Sequence, residues 1–170
     1  SGIAGQRYSA AGTPLGSEFQ INSSVISGQS FPSITSLEGG GFVVTWESEG
    51  LSQNNMDIYG RVFGSDGTSL GNEYILNTTT ADRQVEASVA SLSDGGFVVT
   101  WTSFDGDGEQ IGVFGQRFNA NGTSNGNEFQ VNTYIQGDQQ DSSVTGLENG
   151  GFVVTWFSQG QDGRDPEAPV

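Results

Sequence analysis

The chain has 170 residues, a length that fits a single domain with a buried core, and its 11% of aromatic residues argues against a disordered spacer. Its net charge of −15, with arginine as the only basic residue type, excludes a surface for nucleic acid or anionic lipid. Cysteine and histidine are both absent, which excludes disulfides, thiolate nucleophiles, the usual zinc and iron ligands and histidine acid–base chemistry.

Three sequence landmarks recur with a strict spacing of 55 residues. The hexapeptide Gly-Phe-Val-Val-Thr-Trp occupies residues 41–46, 96–101 and 151–156. A second motif, apolar and ending in an aromatic residue, occupies residues 3–8, 58–63 and 113–118. The third is a Glu followed four residues later by Asn, and it gives the pairs Glu18 and Asn22, Glu73 and Asn77, and Glu128 and Asn132. We therefore predict one domain of three repeats, 3–57, 58–112 and 113–163, with a linker-like tail at 164–170.

The second copy shows the predicted strands in chain order. A strand at Val85–Leu92 is followed by the turn Ser93-Asp94-Gly95 and a second strand at Phe97–Ser103, both rich in β-formers. A variable stretch at Phe104–Gln110 leads to a third strand at Ile111–Phe118. A turn at Asn121-Gly122 then leads to a short fourth strand around Glu128–Asn132. Each repeat is thus predicted to be two hairpins, without helical periodicity.

The alternation in the second strand predicts burial on both of its faces. Phe97, Val99 and Trp101 fall on one face, and Val98 and Thr100 fall on the other. Because neither face is charged, we expect the sheet to be covered on both sides by other sheets.

Two all-β architectures suit three 55-residue, four-stranded repeats. Four-stranded repeats of about this length are typical of β-propeller blades, although propellers usually have about 4 to 8 blades. A β-trefoil with threefold pseudo-symmetry is the alternative. The chain begins with the third and fourth strands of a unit and ends after the second strand of another. Residues 3–22 and 142–158 are therefore predicted to be complementary, so that one composite unit closes the ring within one chain or pairs two chains. A slice of a longer array of blades is the third alternative.

The repeat motifs resemble those of a known class of protein. Gly-Gly-Phe-Val-Val-Thr-Trp at 95–101, Gly-Val-Phe-Gly-Gln-Arg-Phe at 112–118 and Gly-Asn-Glu-Phe-Gln-Val-Asn at 126–132 resemble tandem repeats of large secreted or surface-anchored bacterial proteins. In such proteins similar repeats accompany RTX-type calcium-binding or cadherin-like modules. The resemblance implies an extracellular, propeller-like binding or adhesive module, and it carries no catalytic residues.

The variable loop of the second copy predicts a calcium site. Asp105, Asp107 and Glu109 alternate with residues that include two glycines, as at the start of a calcium loop with oxygen ligands. Glycine allows the chain to curl so that the side chains converge on one ion. A solvated acidic turn is the alternative, since the distant bidentate Glu of a full calcium loop is absent.

The three tryptophans suggest a site for carbohydrate. An indole face suits the C–H face of a pyranose ring, and three equivalent sites would give avidity for a polysaccharide or glycan. Packing between repeats is the alternative, because each tryptophan ends an apolar strand. The predicted ligand-binding residues are Trp46, Trp101 and Trp156, with their neighbours Glu47, Thr102 and Phe157.

Other recurring polar residues have simpler interpretations. The arginines of the third strand are predicted to pair with Glu18, Glu73 and Glu128, or else to capture a ligand carboxylate. The asparagines that end the fourth strand predict Asx-type turns. Acidic residues recur in every copy, whereas a catalytic pair is normally built once, so we predict that the chain is not an enzyme.

The sequence therefore predicts a non-catalytic, secreted or cell-surface module of a larger bacterial protein that binds carbohydrate, assisted by Ca²⁺. The alternative is a structural, self-assembling repeat of a surface adhesin, which predicts a homo-oligomer formed through ring closure or strand pairing. A fragment of a polysaccharide hydrolase is a third hypothesis. We expect no nucleic-acid partner and no insertion into membranes, because no apolar run approaches the length of a membrane span.

Overall fold

The computed structural model describes residues 1–24, 28–49, 55–104 and 111–161. Within these ranges the chain is all-β, as predicted, and it contains no helix long and apolar enough to cross a membrane. Its strands are β1 (Ala4–Tyr8), β2 (Pro14–Gln20), β3 (Gln29–Ser36), β4 (Phe42–Glu49), β5 (Met56–Phe63), β6 (Tyr74–Ile75), β7 (Gln84–Ser91), β8 (Phe97–Phe104), β9 (Ile111–Phe118), β10 (Phe129–Gln130), β11 (Gln139–Gly146) and β12 (Phe152–Ser158).

The described strands form four separate antiparallel sheets, none of which closes on itself. Two sheets have four strands in chain order, and we call them sheet I (β3–β6) and sheet II (β7–β10). Two sheets have only two strands, and we call them the N-terminal half-sheet (β1 and β2) and the C-terminal half-sheet (β11 and β12). The first strands of sheet I, sheet II and the C-terminal half-sheet begin 55 residues apart, at residues 29, 84 and 139.

The hairpins of each unit follow from local chemistry. In sheet II the predicted strands agree with β7, β8 and β9 to within one residue, and Gly95 in the intervening turn has a φ of 85°, which suits glycine. The fourth strand, β10, is shorter than predicted, with only Phe129 and Gln130 assigned to it. The pairing nevertheless continues one residue further, because the Val131 N–H donates to the Val113 carbonyl at 2.8 Å.

Each first strand of a unit carries a β-bulge that the sequence analysis missed. The pairing register shifts once in each of these strands, and a non-glycine residue in each adopts a positive φ. These residues are spaced by 55 positions and are Phe31 (51°), Glu86 (59°) and Asp141 (56°). A left-handed conformation is unfavourable for such residues, so the surrounding sheet must hold it in place.

Apolar side chains fill the spaces between neighbouring sheets. The first hydrophobic cluster joins sheet I to sheet II and contains Phe97, Val99 and Trp101 from one face of β8. A second cluster joins Val98, on the other face of β8, to Val144 of the C-terminal half-sheet. The prediction that this strand is covered on both faces is therefore confirmed. A third cluster joins the N-terminal half-sheet to sheet I.

The two half-sheets do not pair with each other in this chain. Among the described strands, β12 is hydrogen-bonded only to β11, and β1 only to β2. Closure of a composite unit within one chain is therefore not observed. Each half-sheet instead has an open edge on the strand, β12 or β1, whose equivalents in sheets I and II are paired on both sides.

Candidate functional site

Two of the three predicted carbohydrate-stacking tryptophans lie in the core. Trp46 packs in the cluster between the N-terminal half-sheet and sheet I, and Trp101 packs between sheets I and II. The Trp101 indole Nε1–H donates to Gln84 Oε1 at 3.0 Å. Neither indole has a face open to a sugar, so their positions fit the alternative interpretation, packing between repeats. Trp156 makes the same type of bond, to Gln139 Oε1 at 3.2 Å, but is only half-buried.

The residues that follow the tryptophans also differ in burial from one repeat to the next. Glu47 and Thr102 are buried, whereas the equivalent Phe157 is 55% exposed. Glu47 Oε1 accepts a hydrogen bond at 2.7 Å from the N–H of the bulge residue Glu86. Thr102 Oγ1 donates to the Glu86 carboxylate at 2.7 Å. These two residues therefore support a bulge of the neighbouring strand, and burial raises the pKa of the Glu47 carboxyl above its usual value.

The predicted calcium ligands Asp105, Asp107 and Glu109 lie outside the described residues. In the ranges that the structure describes, no three acidic side chains come together in a group that could hold a metal ion. The calcium site therefore stays a prediction.

The sequence predicted that the recurring glutamates pair with arginine, but Glu73 and Glu128 bond instead to the neighbouring sheet. The Glu73 carboxylate accepts hydrogen bonds from the N–H groups of Ser23 and Ser24 at 2.7 and 2.9 Å. One unit later, the Glu128 carboxylate accepts from the N–H of Thr78 at 2.6 Å and the hydroxyl of Thr79 at 2.9 Å.

The arginines have other partners. Among the described residues the one ion pair joins Arg117 to Asp94 at 2.8 Å, and the two side chains are 36% and 45% exposed. Arg61 donates to the carbonyl of Ile21 at 2.9 Å and so links sheet I to the N-terminal half-sheet. The predicted Arg–Glu pairs are therefore wrong, because turn N–H groups of the preceding sheet lie closer to the carboxylates.

The recurring asparagines bond across the sheet as well as to the chain that follows them. Asn22, Asn77 and Asn132 are buried, and each accepts a hydrogen bond from the backbone N–H of a residue 19 positions earlier, at 2.7–2.8 Å. Each also donates from Nδ2 to the carbonyl two residues later. In an Asx turn the side-chain oxygen would instead accept from the N–H two residues later. The predicted Asx turn is therefore wrong, because Oδ1 accepts across the sheet from the residue 19 positions earlier, a bond that the sequence did not reveal.

Equivalent apolar positions are buried inside the array and exposed at its C-terminal end. Leu37 and Leu92 are 7% and 5% exposed, whereas Leu147 is 39% exposed. Val43 and Val98 are fully buried, whereas Val153 is 46% exposed. The side chains that fill the space between sheets inside the array therefore lie open on the C-terminal half-sheet.

A complementary opening lies at the N-terminal end. Ile34 is 64% exposed, although the equivalent Val89 and Val144 are 7% and 9% exposed. Ile34 lines a mainly apolar groove of about 620 Å³ between the N-terminal half-sheet and sheet I, together with Phe42 and Val44. The candidate functional site is therefore this pair of open ends, the groove and the C-terminal half-sheet.

Sequence reasoning predicted that the two end segments complement each other, but it missed the exposed apolar side chains there because it treated the three repeats as equal. It also missed Gln29, Gln84 and Gln139, which are buried and recur every 55 residues. Gln84 and Gln139 accept hydrogen bonds from the indoles of Trp101 and Trp156. Aligning the three copies position by position would have shown that spacing.

The protein-family models and the curated proteins contain no match to this chain.

Proposed function

We propose that this protein is a non-catalytic, secreted or surface-exposed repeat module, whose function is to assemble propeller-like blades into a larger structure. The observation that carries this proposal is the exposure of Leu147 and Val153 at positions where Leu37, Leu92, Val43 and Val98 are buried between sheets. Covering such apolar surface with another sheet stabilises the assembly by about 25 cal/mol for each Å² removed from water.

The blade interpretation is supported by the order of strands. Each complete sheet is a four-stranded meander in chain order, and sheets follow one another by face-to-face packing. A trefoil would instead join strands of the three copies in one barrel, whereas the described strands form separate sheets. The resemblance to repeats of secreted bacterial proteins agrees with an extracellular location and with a role in assembly.

Sedimentation velocity tests the assembly function directly. We expect the purified chain to sediment as a defined oligomer, heavier than the 17.8 kDa of one copy. Each copy carries a net charge of −15, so like-charge repulsion opposes assembly at low salt. The oligomer should therefore become more stable as sodium chloride rises to about 0.15 M, where the Debye length is about 8 Å. A strict monomer at every salt and protein concentration would contradict the proposal.

Carbohydrate binding is the second candidate, and the exposure of Phe157 and the half-burial of Trp156 favour it. We expect a glycan site to lie in the third repeat, at Trp156, because Trp46 and Trp101 are covered. Calorimetry against neutral and acidic polysaccharides, with Ca²⁺ and with a chelator, checks this. Binding should be lost in Trp156→Ala, and no heat at millimolar sugar would contradict this candidate.

A further inference from the structure

The open edges of β12 and β1 occupy equivalent places in a four-stranded sheet. In sheet I, β4 pairs with β3 on one side and with β5 on the other, and β8 has the same two neighbours in sheet II. β12 is the equivalent of β4 and β8 but lacks the outer neighbour among the described strands. β1 is the equivalent of β5 and β9 and lacks the inner neighbour. Each open edge therefore lacks the strand that the other end provides.

The internal sheets fix the register of the missing pairing. Phe42 lies opposite Phe63 in sheet I, and Phe97 lies opposite Phe118 in sheet II. Shifted by the repeat length, this register places Phe152 opposite Tyr8. The next residues along are also paired equivalently, Val43 with Val62 and Val98 with Arg117. Shifted by 55 residues, this pairing places Val153 opposite Arg7.

The groove lies where the repeat would place the side chains of a preceding sheet. Between sheets I and II, Leu37 and Val43 pack in one cluster with Phe97 and Val99. The equivalents of Phe97 and Val99 at the N-terminal end are Phe42 and Val44, which line the groove. The equivalents of Leu37 and Val43 are Leu147 and Val153, which are exposed at the opposite end. The C-terminal half-sheet therefore carries the apolar side chains that would cover the groove.

The glutamate clasps extend the same pattern. Glu73 accepts from the N–H of Ser23, and Glu128 accepts from the N–H of Thr78, so acceptor and donor advance together by 55 residues. The remaining acceptor of the series is Glu18, and the remaining donor is the N–H of Thr133. Glu18 is exposed and makes no hydrogen bond or ion pair with any residue that the structure describes. Blade completion would bring Glu18 to the turn at Thr133.

We infer that two copies of this chain complete each other's half-sheets, which deepens the proposed assembly function and rests on it. Strand β1 of each copy adds to the edge of β12 of its partner, in the register that places Val153 opposite Arg7. The occupant is a second copy because the two half-sheets are complementary but do not pair with each other among the described strands of one chain. Two copies together give six blades, within the range of about 4 to 8 for propeller rings. The ring then contains two composite blades and four complete ones.

Disulfide trapping tests the register, because the chain contains no cysteine. In the variant that combines Arg7→Cys with Val153→Cys, air oxidation should give a species of twice the 17.8 kDa of one copy, linked by two disulfides. The control combines Gln6→Cys with Val153→Cys. Because a shift of one residue turns a side chain to the other face of a sheet, its thiols should stay free.

The results of these experiments distinguish failure of the proposed strand pairing from failure of the assembly function. A wild-type oligomer whose Arg7→Cys, Val153→Cys variant keeps free thiols would overturn the inference and leave the assembly function intact. A disulfide within a single copy would show closure of three blades and would also overturn the inference. A strictly monomeric wild-type chain would overturn the assembly function itself.

Glu18→Gln supplies a second measurement that does not depend on cysteines. Loss of its charge-assisted hydrogen bonds should weaken the two-copy ring by about tenfold or more. The melting temperature of the isolated copy at high dilution should not change, because Glu18 has no partner among the described residues. The matched control is Glu128→Gln, which lies within a copy and should lower that melting temperature. Equal affinity of wild type and Glu18→Gln would contradict the proposed contact.

Discussion

Replacing Trp101 by alanine is expected to lower the free energy of unfolding by about 3–5 kcal/mol. The indole is fully buried between sheets I and II, where it packs with Phe97 and Val99, so its loss leaves a cavity in the largest cluster of the described core. The substitution also removes the donor to Gln84 Oε1, and a buried acceptor without its partner adds to the cost. Urea unfolding followed by circular dichroism measures the difference.

The matched control is Trp156→Ala, which changes the same residue one repeat later. Because Trp156 is only half-buried and lies on the open half-sheet, its loss should cost clearly less than that of Trp101 in the isolated copy. The cost should increase when the protein is assembled, because an added strand covers the same position. Equal losses for the two substitutions in a monomeric sample would contradict the description of Trp101 as core and Trp156 as end.

The Asn77→Ala substitution should have the second-largest effect, with a cost of about 1–3 kcal/mol for each buried group that it leaves without a partner. Asn77 Oδ1 accepts from the Ile58 N–H at 2.8 Å, and its Nδ2 donates to Asp57 Oδ1 at 2.8 Å. Alanine removes both bonds from a buried site. Asn72→Ala, at an exposed position, is the matched control and should change the stability by less than about 0.5 kcal/mol.

The cost of Asn77→Ala should depend on pH. Burial raises the pKa of Asp57, and the hydrogen bond from Asn77 lowers it in part. Without Asn77 the folded-state pKa of Asp57 rises further, so the folded variant binds more protons than wild type. Its free energy of unfolding therefore falls relative to wild type as pH rises through these pKa values. The cost should be greatest at neutral pH and smallest below the usual pKa of 3.8, and a cost that does not change with pH would contradict the contact.

The sequence predicts the strands and turns well because their signals are local. Alternation of apolar residues and a glycine in the turn are sufficient for β8 and for Gly95. The bulge at Glu86 was not predictable in this way, because nothing in the local sequence requires a non-glycine residue to adopt a φ of 59°. The neighbouring sheet supplies the reason, through the side chain of Glu47.

The candidate site was less predictable than the fold. Leu37 and Leu147 occupy the same place in the same motif, so no pattern within one repeat distinguishes a buried leucine from an exposed one. The difference depends on which strands stand beside each copy in three dimensions. Likewise, Glu73 lies close to arginines in the sequence but bonds to turn N–H groups 50 residues away, because stacked sheets bring those groups together.

The open edge of β12 also bears on solubility. Residues 152–158 are seven in number, rich in β-formers and free of charge and proline, a composition typical of segments that form cross-β aggregates when their edges are exposed. The strand carries none of the lysines or prolines that usually protect such edges. Between uncovered copies, protection then comes from the repulsion of like net charges. Covering this edge with a native strand would therefore keep the chain out of amyloid-like association as well as build the ring.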